Sequence, residues 1–115
     1  MSIPTDSNIS AIAITPTTNP DAPLILIAEG GAMCLSEHPS LSLEARLQQS
    51  DSEFGPWDKV ATAIDTCKTC DGKNLHPKAI MTATHGQKWY RTHALLTVGT
   101  LTVVDFSPVT SFTGR

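Results

Sequence analysis

Apolar and polar residues alternate strictly from Leu41 to Gln48. Leu41, Leu43, Ala45 and Leu47 fall on one face, and Ser42, Glu44, Arg46 and Gln48 on the other. The residue types favour helix, but propensity is a weak prior and the period reports burial, so the pattern predicts a strand. Leu24 to Ala28 is a short apolar, β-branched run closed by Gly30-Gly31, which predicts a buried strand. Ser10 to Thr15 predicts a further short strand. The last third holds three runs rich in Val, Thr, Leu and aromatics: Ala79–Thr84, Lys88–Val98 and Leu101–Phe106. Gly99-Thr100 is a two-residue Gly-X loop, the chemistry of a type II′ hairpin. That loop sets Val98 opposite Leu101, Leu96 opposite Val103 and Leu95 opposite Val104. Carrying the register back through the turn His85-Gly86 sets Met81 opposite Tyr90. It also puts Tyr90, Ala94, Leu96 and Val98 on one core face.

Trp57 to Ile64 fits two patterns. As a helix it begins with Pro56 and places Trp57, Val60, Ile64 and Cys67 on one side. As a strand, Val60, Thr62 and Ile64 alternate with Lys59, Ala61 and Ala63. It follows the turn signal Ser50–Pro56 directly, and we read it as a strand. Asp65 to Pro77 reads as a polar loop. The stretch Thr15-Pro16-Thr17-Thr18-Asn19-Pro20-Asp21 opposes regular structure, because each proline removes a donor and restricts its predecessor. The organisation expected is an extended N-terminal arm over residues 1–22 and one all-β domain over residues 23–115. About seven strands with short turns predict an antiparallel β-sandwich, jelly-roll-like.

A length of 115 residues suits a single domain with its own core. The net charge is -3, and the eight basic residues are scattered singly from Arg46 to Arg115. Binding phosphates needs several cations on one surface, so nucleic acid is not an expected partner. A DNA mimic would need a carboxylate array, and Asp51, Glu53 and Asp58 form only a small cluster. Met1–Asp6 is polar, unlike the start of a signal peptide. Leu24–Ala28 is far too short to span a membrane. Three cysteines cannot form a complete disulfide framework within one chain, which points to a soluble protein made in a reducing cytosol.

Three segments carry a resemblance. They are the strand Leu41–Gln49, the stretch Ser50-Asp51-Ser52-Glu53-Phe54-Gly55-Pro56-Trp57-Asp58-Lys59-Val60, and the run Gly86-Gln87-Lys88-Trp89-Tyr90-Arg91-Thr92. Together they resemble small β-sandwich proteins of bacteriophage virions, among them capsid decoration (cement) proteins. These share an alternating strand, a Ser-x-Asp-Gly-like turn, a Trp and a later aromatic-Arg strand. A similar pattern occurs in discoidin-like carbohydrate-binding sandwiches. The resemblance spans about residues 41–107. It departs where Ser52-Glu53 replaces the usual Gly, and where the Asp65–Pro77 loop is longer and carries Cys67 and Cys70. It implies a non-enzymatic protein, made in the host cytoplasm and carried on the virion. Such a protein docks on the major capsid protein or another virion protein and associates with copies of itself. The alternatives are a carbohydrate-binding module and a zinc-stabilised interaction or inhibitor domain.

Several residues invite chemistry. Cys67-x-x-Cys70 supplies two of the four ligands that tetrahedral zinc requires, and Cys34-x-x-x-His38 would supply the other two. The competing reading is a pair of loop thiols with Cys34 buried as a small hydrophobe. A thioredoxin-type role fails because any helix would precede the motif, so its dipole would act the wrong way. His38, His76, His85 and His93 lie in no hydrolase or metalloprotease motif, so no catalysis is expected. Trp89 shares its strand face with Arg91 and His93. Trp57, Trp89, Tyr90 and Arg91 are the candidates for a sugar-stacking or protein-docking patch, with core packing the competing reading; Tyr90 is expected in the core, and Trp89 with Arg91 is the expected contact pair, since exposed aromatics and arginine form interface hot spots. Gly30-Gly31 lacks the later glycine and lysine of a phosphate loop.

Overall fold

A computed structural model describes residues 9–19, 22–34, 41–67, 74–98 and 101–114. Nine β-strands cover most of these residues: β1 Ile9–Asn19, β2 Ala22–Cys34, β3 Leu41–Ser50, β4 Asp58–Cys67, β5 Asn74–Leu75, β6 Lys78–Thr82, β7 Gly86–Val98, β8 Leu101–Phe106 and β9 Thr110–Gly114. They form two antiparallel sheets, and the fold is an all-β sandwich. In the smaller sheet β2 is central, with β1 on one side and β5 and β6 end to end on the other. The larger sheet runs β4-β3-β7, and the far side of β7 carries β8 and β9 end to end.

The period-two pattern of β3 is realised as expected. Leu41, Leu43, Ala45 and Leu47 are buried, while the intervening residues face outward. On β7 the inward residues are Tyr90, Thr92, Ala94, Leu96 and Val98. The predicted β7–β8 register holds: Val98, Leu96 and Leu95 pair with Leu101, Val103 and Val104. Trp57 to Ile64 is extended, and the strand continues to Cys67.

The interior has two halves. Leu41, Leu43, Leu75, Leu96 and Val98 fill one; Leu26, Leu47, Ala79, Ala83 and Tyr90 fill the other. Between them the sheets approach at Gly30, where a Cβ would lie 3.5 Å from that of Ala45 and 3.6 Å from that of Ala94. Each fully buried leucine contributes about 1.5–3 kcal/mol by leaving water.

Three expectations need correction. The strand expected over Ser10–Thr15 is present but longer: residues 9–19 are not part of an arm but an edge strand paired with β2 from Ile9↔Cys34 to Asn19↔Ala22. Pro16 lies in a register shift between Ile14 and Thr17, where a missing donor costs no ladder bond. Gly30-Gly31 does not end a strand but lies within β2, and the Gly30 N–H donates to Pro77 O at 3.1 Å. Met81 pairs with Leu26, not Tyr90, because the chain crosses from one sheet to the other at His85-Gly86. Two strands escaped the pattern: β5 and β9, at two and five residues, are too short to show a clear period.

Candidate functional site: the outer face of the larger sheet

The outward residues of β4, β3, β7 and β8 form cross-strand rows. One row is Thr62, Arg46, His93 and Phe106; the next is Ile64, Glu44, Leu95 and Val104. Ile64, Val104 and Phe106 are 60%, 51% and 46% exposed. Central sheet strands usually turn a polar face to water; this one mixes exposed apolar side chains with charges.

At the centre of that face is Arg91. Its guanidinium lies 4.6 Å from the ring centroid of Trp57 and 4.3 Å from that of Phe106. Its Nε donates to Gln48 Oε1 at 2.7 Å. The ring of Phe106 also stacks on His93, with centroids 4.2 Å apart and planes 12° apart. Trp57, Arg91, Phe106 and His93 thus form one run of contacts. Among the described residues no carboxylate pairs with Arg91. Its partial burial lowers its pKa by desolvation. Arg46, by contrast, is neutralised: Nε donates to Glu44 Oε2 at 2.7 Å and NH2 to Oε1 at 3.3 Å. Thr62 Oγ1 also donates to Glu44, at 2.9 Å. The bond from Arg46 holds the Glu44 carboxyl below its usual range, against some desolvation.

The turn before β4 aims Trp57. Ser50 Oγ accepts the Ser52 N–H at 3.1 Å, and Ser52 Oγ accepts the Phe54 N–H at 3.2 Å. Gly55 has φ +89°, and a Cβ there would lie 2.8 Å from Trp57 Cδ1, so glycine is required. Beside the turn is a polar cleft of about 340 Å³ lined by Gln49, Asp51, Asp58 and Lys88 among others. Lys88 and Asp51 pair across it.

Of the predicted site residues, Arg91 is at the centre of the cluster. Trp89 shares its face and is half-buried, but Trp57 and Phe106, not Trp89, flank the guanidinium. Sequence reasoning missed Phe106 as a site residue, although the β7–β8 register already set it opposite His93. Trp57 belongs to the candidate patch named from the sequence, but nothing local ties residue 57 to residue 91, so its place over the guanidinium was not legible. The predicted zinc set loses Cys67, which is disulfide-bonded; a disulfide sulfur is not the thiolate that zinc binds. The same bond departs from the expectation of reduced thiols. Cys70 and His38 lie outside the described residues, as does the side chain of Cys34. Among the described residues no three His, Cys, Asp or Glu side chains converge on a metal-sized site.

Compared with known proteins, the sequence matches no family model and no curated relative.

Proposed function

We propose that this protein is a non-enzymatic docking module that binds a protein surface through the outer face of its larger sheet, as a capsid decoration protein of a phage virion. The observation that carries the docking reading is Arg91 held between Trp57 and Phe106, paired with no carboxylate among the described residues. A half-desolvated guanidinium on an aromatic platform is preorganised to receive an acidic group. The apolar rim of Ile64, Leu95 and Val104 then supplies area and excludes water. The virion setting rests on the resemblance of residues 41–107. A disulfide at Cys67 is compatible with a particle exposed to oxidising surroundings.

The sugar-binding alternative is less well supported. Sugar stacking needs an open aromatic ring face, whereas Arg91 covers Trp57 and both Arg91 and His93 lie against Phe106.

The test is co-sedimentation with assembled phage capsid particles. Wild type should pellet with the particles, and Arg91→Ala should lose most of that binding while remaining folded. A wild-type protein that stays in the supernatant at saturating particle concentration overturns the virion reading. Unchanged binding by Arg91→Ala overturns the site.

A further inference from the structure

The most exposed large apolar side chain among the described residues is Phe54, at 87%. It stands in the turn between β3 and β4, at the tip of Ser50-Asp51-Ser52-Glu53-Phe54-Gly55-Pro56. Single exposed apolar residues are ordinary on protein surfaces; this one is set apart by its brace and its surroundings. The Phe54 N–H donates to Ser52 Oγ at 3.2 Å, and the Gly55 N–H donates to Ser52 O at 3.1 Å. Ser52 is tied in turn to Ser50, which is buried. The backbone that carries the ring is therefore fixed before a partner arrives, which lowers the ordering cost of binding.

Exposure and charge identify the occupant. A ring this exposed has both faces and its rim open to water. A flat surface, such as a stacked sugar, would cover one side of it; only a concave apolar site removes the whole ring from water. Around the ring stand Asp51, Glu53 and Asp58, all exposed. Asp51 pairs with Lys88, while Glu53 and Asp58 pair with no cation among the described residues. Burying Phe54 brings these carboxylates against the partner, so the rim of its pocket has to be basic. A lipid bilayer offers an apolar interior, but its headgroup surface is anionic and repels the tip. A second copy fits no better. Its Arg46, Lys78 and Lys88 are already in ion pairs and its Arg91 lies between two rings. Its Lys59 acts on Glu44, and the cleft beside its turn is polar and lined by Asp51 and Asp58.

We propose that Phe54 is an anchor that inserts into an apolar pocket of the protein on which this module docks, and that Lys or Arg side chains at the rim of that pocket meet Glu53 and Asp58. The proposal rests on the docking reading and adds to it a contact made by a turn rather than by the sheet face.

Co-sedimentation with assembled phage capsid particles tests it. Phe54→Ser removes a side chain that is almost wholly in water. The variant should unfold at the same urea concentration as wild type, yet bind particles at least about tenfold more weakly. Phe54→Leu keeps an apolar knob and should fall between the two. Glu53→Gln combined with Asp58→Asn should weaken binding and flatten its dependence on salt. Wild type should not pellet with vesicles of phosphatidylcholine and phosphatidylglycerol. A folded Phe54→Ser protein that binds particles like wild type overturns the anchor and leaves the docking reading standing. Wild type that never pellets with particles overturns both. Unchanged affinity and salt dependence in the double variant overturn the basic rim, and Phe54-dependent pelleting with the vesicles overturns the protein pocket.

Discussion

The carboxylate of Asp105 on β8 accepts a hydrogen bond from the backbone N–H of Ala13 on β1, at 2.8 Å. These residues belong to edge strands of different sheets. The N–H of Ala13 is one that an edge strand leaves without a ladder partner, and an inward-pointing charge meets it. The opposite side of the sandwich repeats the device: Asp65 on β4 accepts the N–H of His76, between β5 and β6, at 3.2 Å. Each lateral opening is thus bridged by an aspartate of the larger sheet. Inward charges on edges are also a defence against edge-to-edge aggregation.

Asp105→Ala should destabilise the protein by about 1.5–3 kcal/mol, the range for a hydrogen bond to a charged group that leaves its partner unsatisfied. Asp105→Asn keeps an acceptor oxygen and should cost less. Asp65→Ala should cost under about 1 kcal/mol, because its bond is longer and exposed. Urea denaturation of the three variants checks the ranking. An Asp105→Ala protein as stable as wild type refutes the bridging role.

How far the sequence discloses this architecture depends on how local each signal is. The alternation in β3 and the Gly-X hairpin between β7 and β8 are local, and both registers were legible. Pairing between distant strands is not local. Nothing near Met81 says that it lies beside Leu26 rather than Tyr90, and nothing near Trp57 says that it will cover Arg91. Only the first half of β1, Ser10–Thr15, was legible, because Pro16 looks like a breaker unless the bulge that accommodates it is known. β9 was obscured by its brevity. Its glycine has a tertiary cause: a Cβ on Gly114 would lie 2.0 Å from the carbonyl oxygen of Thr84. Arg91 was found because an aromatic-Arg strand is a local pattern; its partners come from β8 and the turn before β4.

The aromatic cage of Arg91 should be measurable as coupling. A double-mutant cycle of Trp57→Ala and Arg91→Ala should give about 0.5–1 kcal/mol of interaction energy in denaturant unfolding. Arg91→Lys should recover little of it, since an ammonium lacks the flat surface that two rings can cover. Additive single-mutant effects would mean that the contact carries no energy.

The cysteines give a count. A disulfide at Cys67 consumes two of the three, so thiol titration of denatured, unreduced protein should find one thiol per chain, and three after reduction. Three thiols before reduction would remove the bond and reopen Cys67 as a zinc ligand. Metal analysis of the same sample would then decide that question.

The last prediction concerns acid. His93 is held below the usual imidazole value of 6.5, first by burial and then by the charges of Arg46 and Arg91, with Glu44 opposing. Its Nδ1 is buried and makes no hydrogen bond among the described residues, and Phe106 covers the ring. The folded protein therefore resists protonation that the unfolded chain accepts. As pH falls through 6.5 the unfolded state gains a proton that the native state does not, so stability drops. The slope for one proton is at most about 1.4 kcal/mol per pH unit, and it ends where the native histidine also protonates. Glu44 adds a second decline of the same sign, because its carboxyl is held below 4.5 by the Arg46 bond; that loss begins as pH falls through the unfolded carboxylate range. Unfolding free energies of wild type and His93→Gln, measured by urea at a series of pH values, separate the two. His93→Gln should be less stable near neutrality, having lost the Phe106 stack, yet flat between about pH 7 and 5. If the two curves run parallel through that interval, the histidine titrates normally and the cluster around it is looser than described.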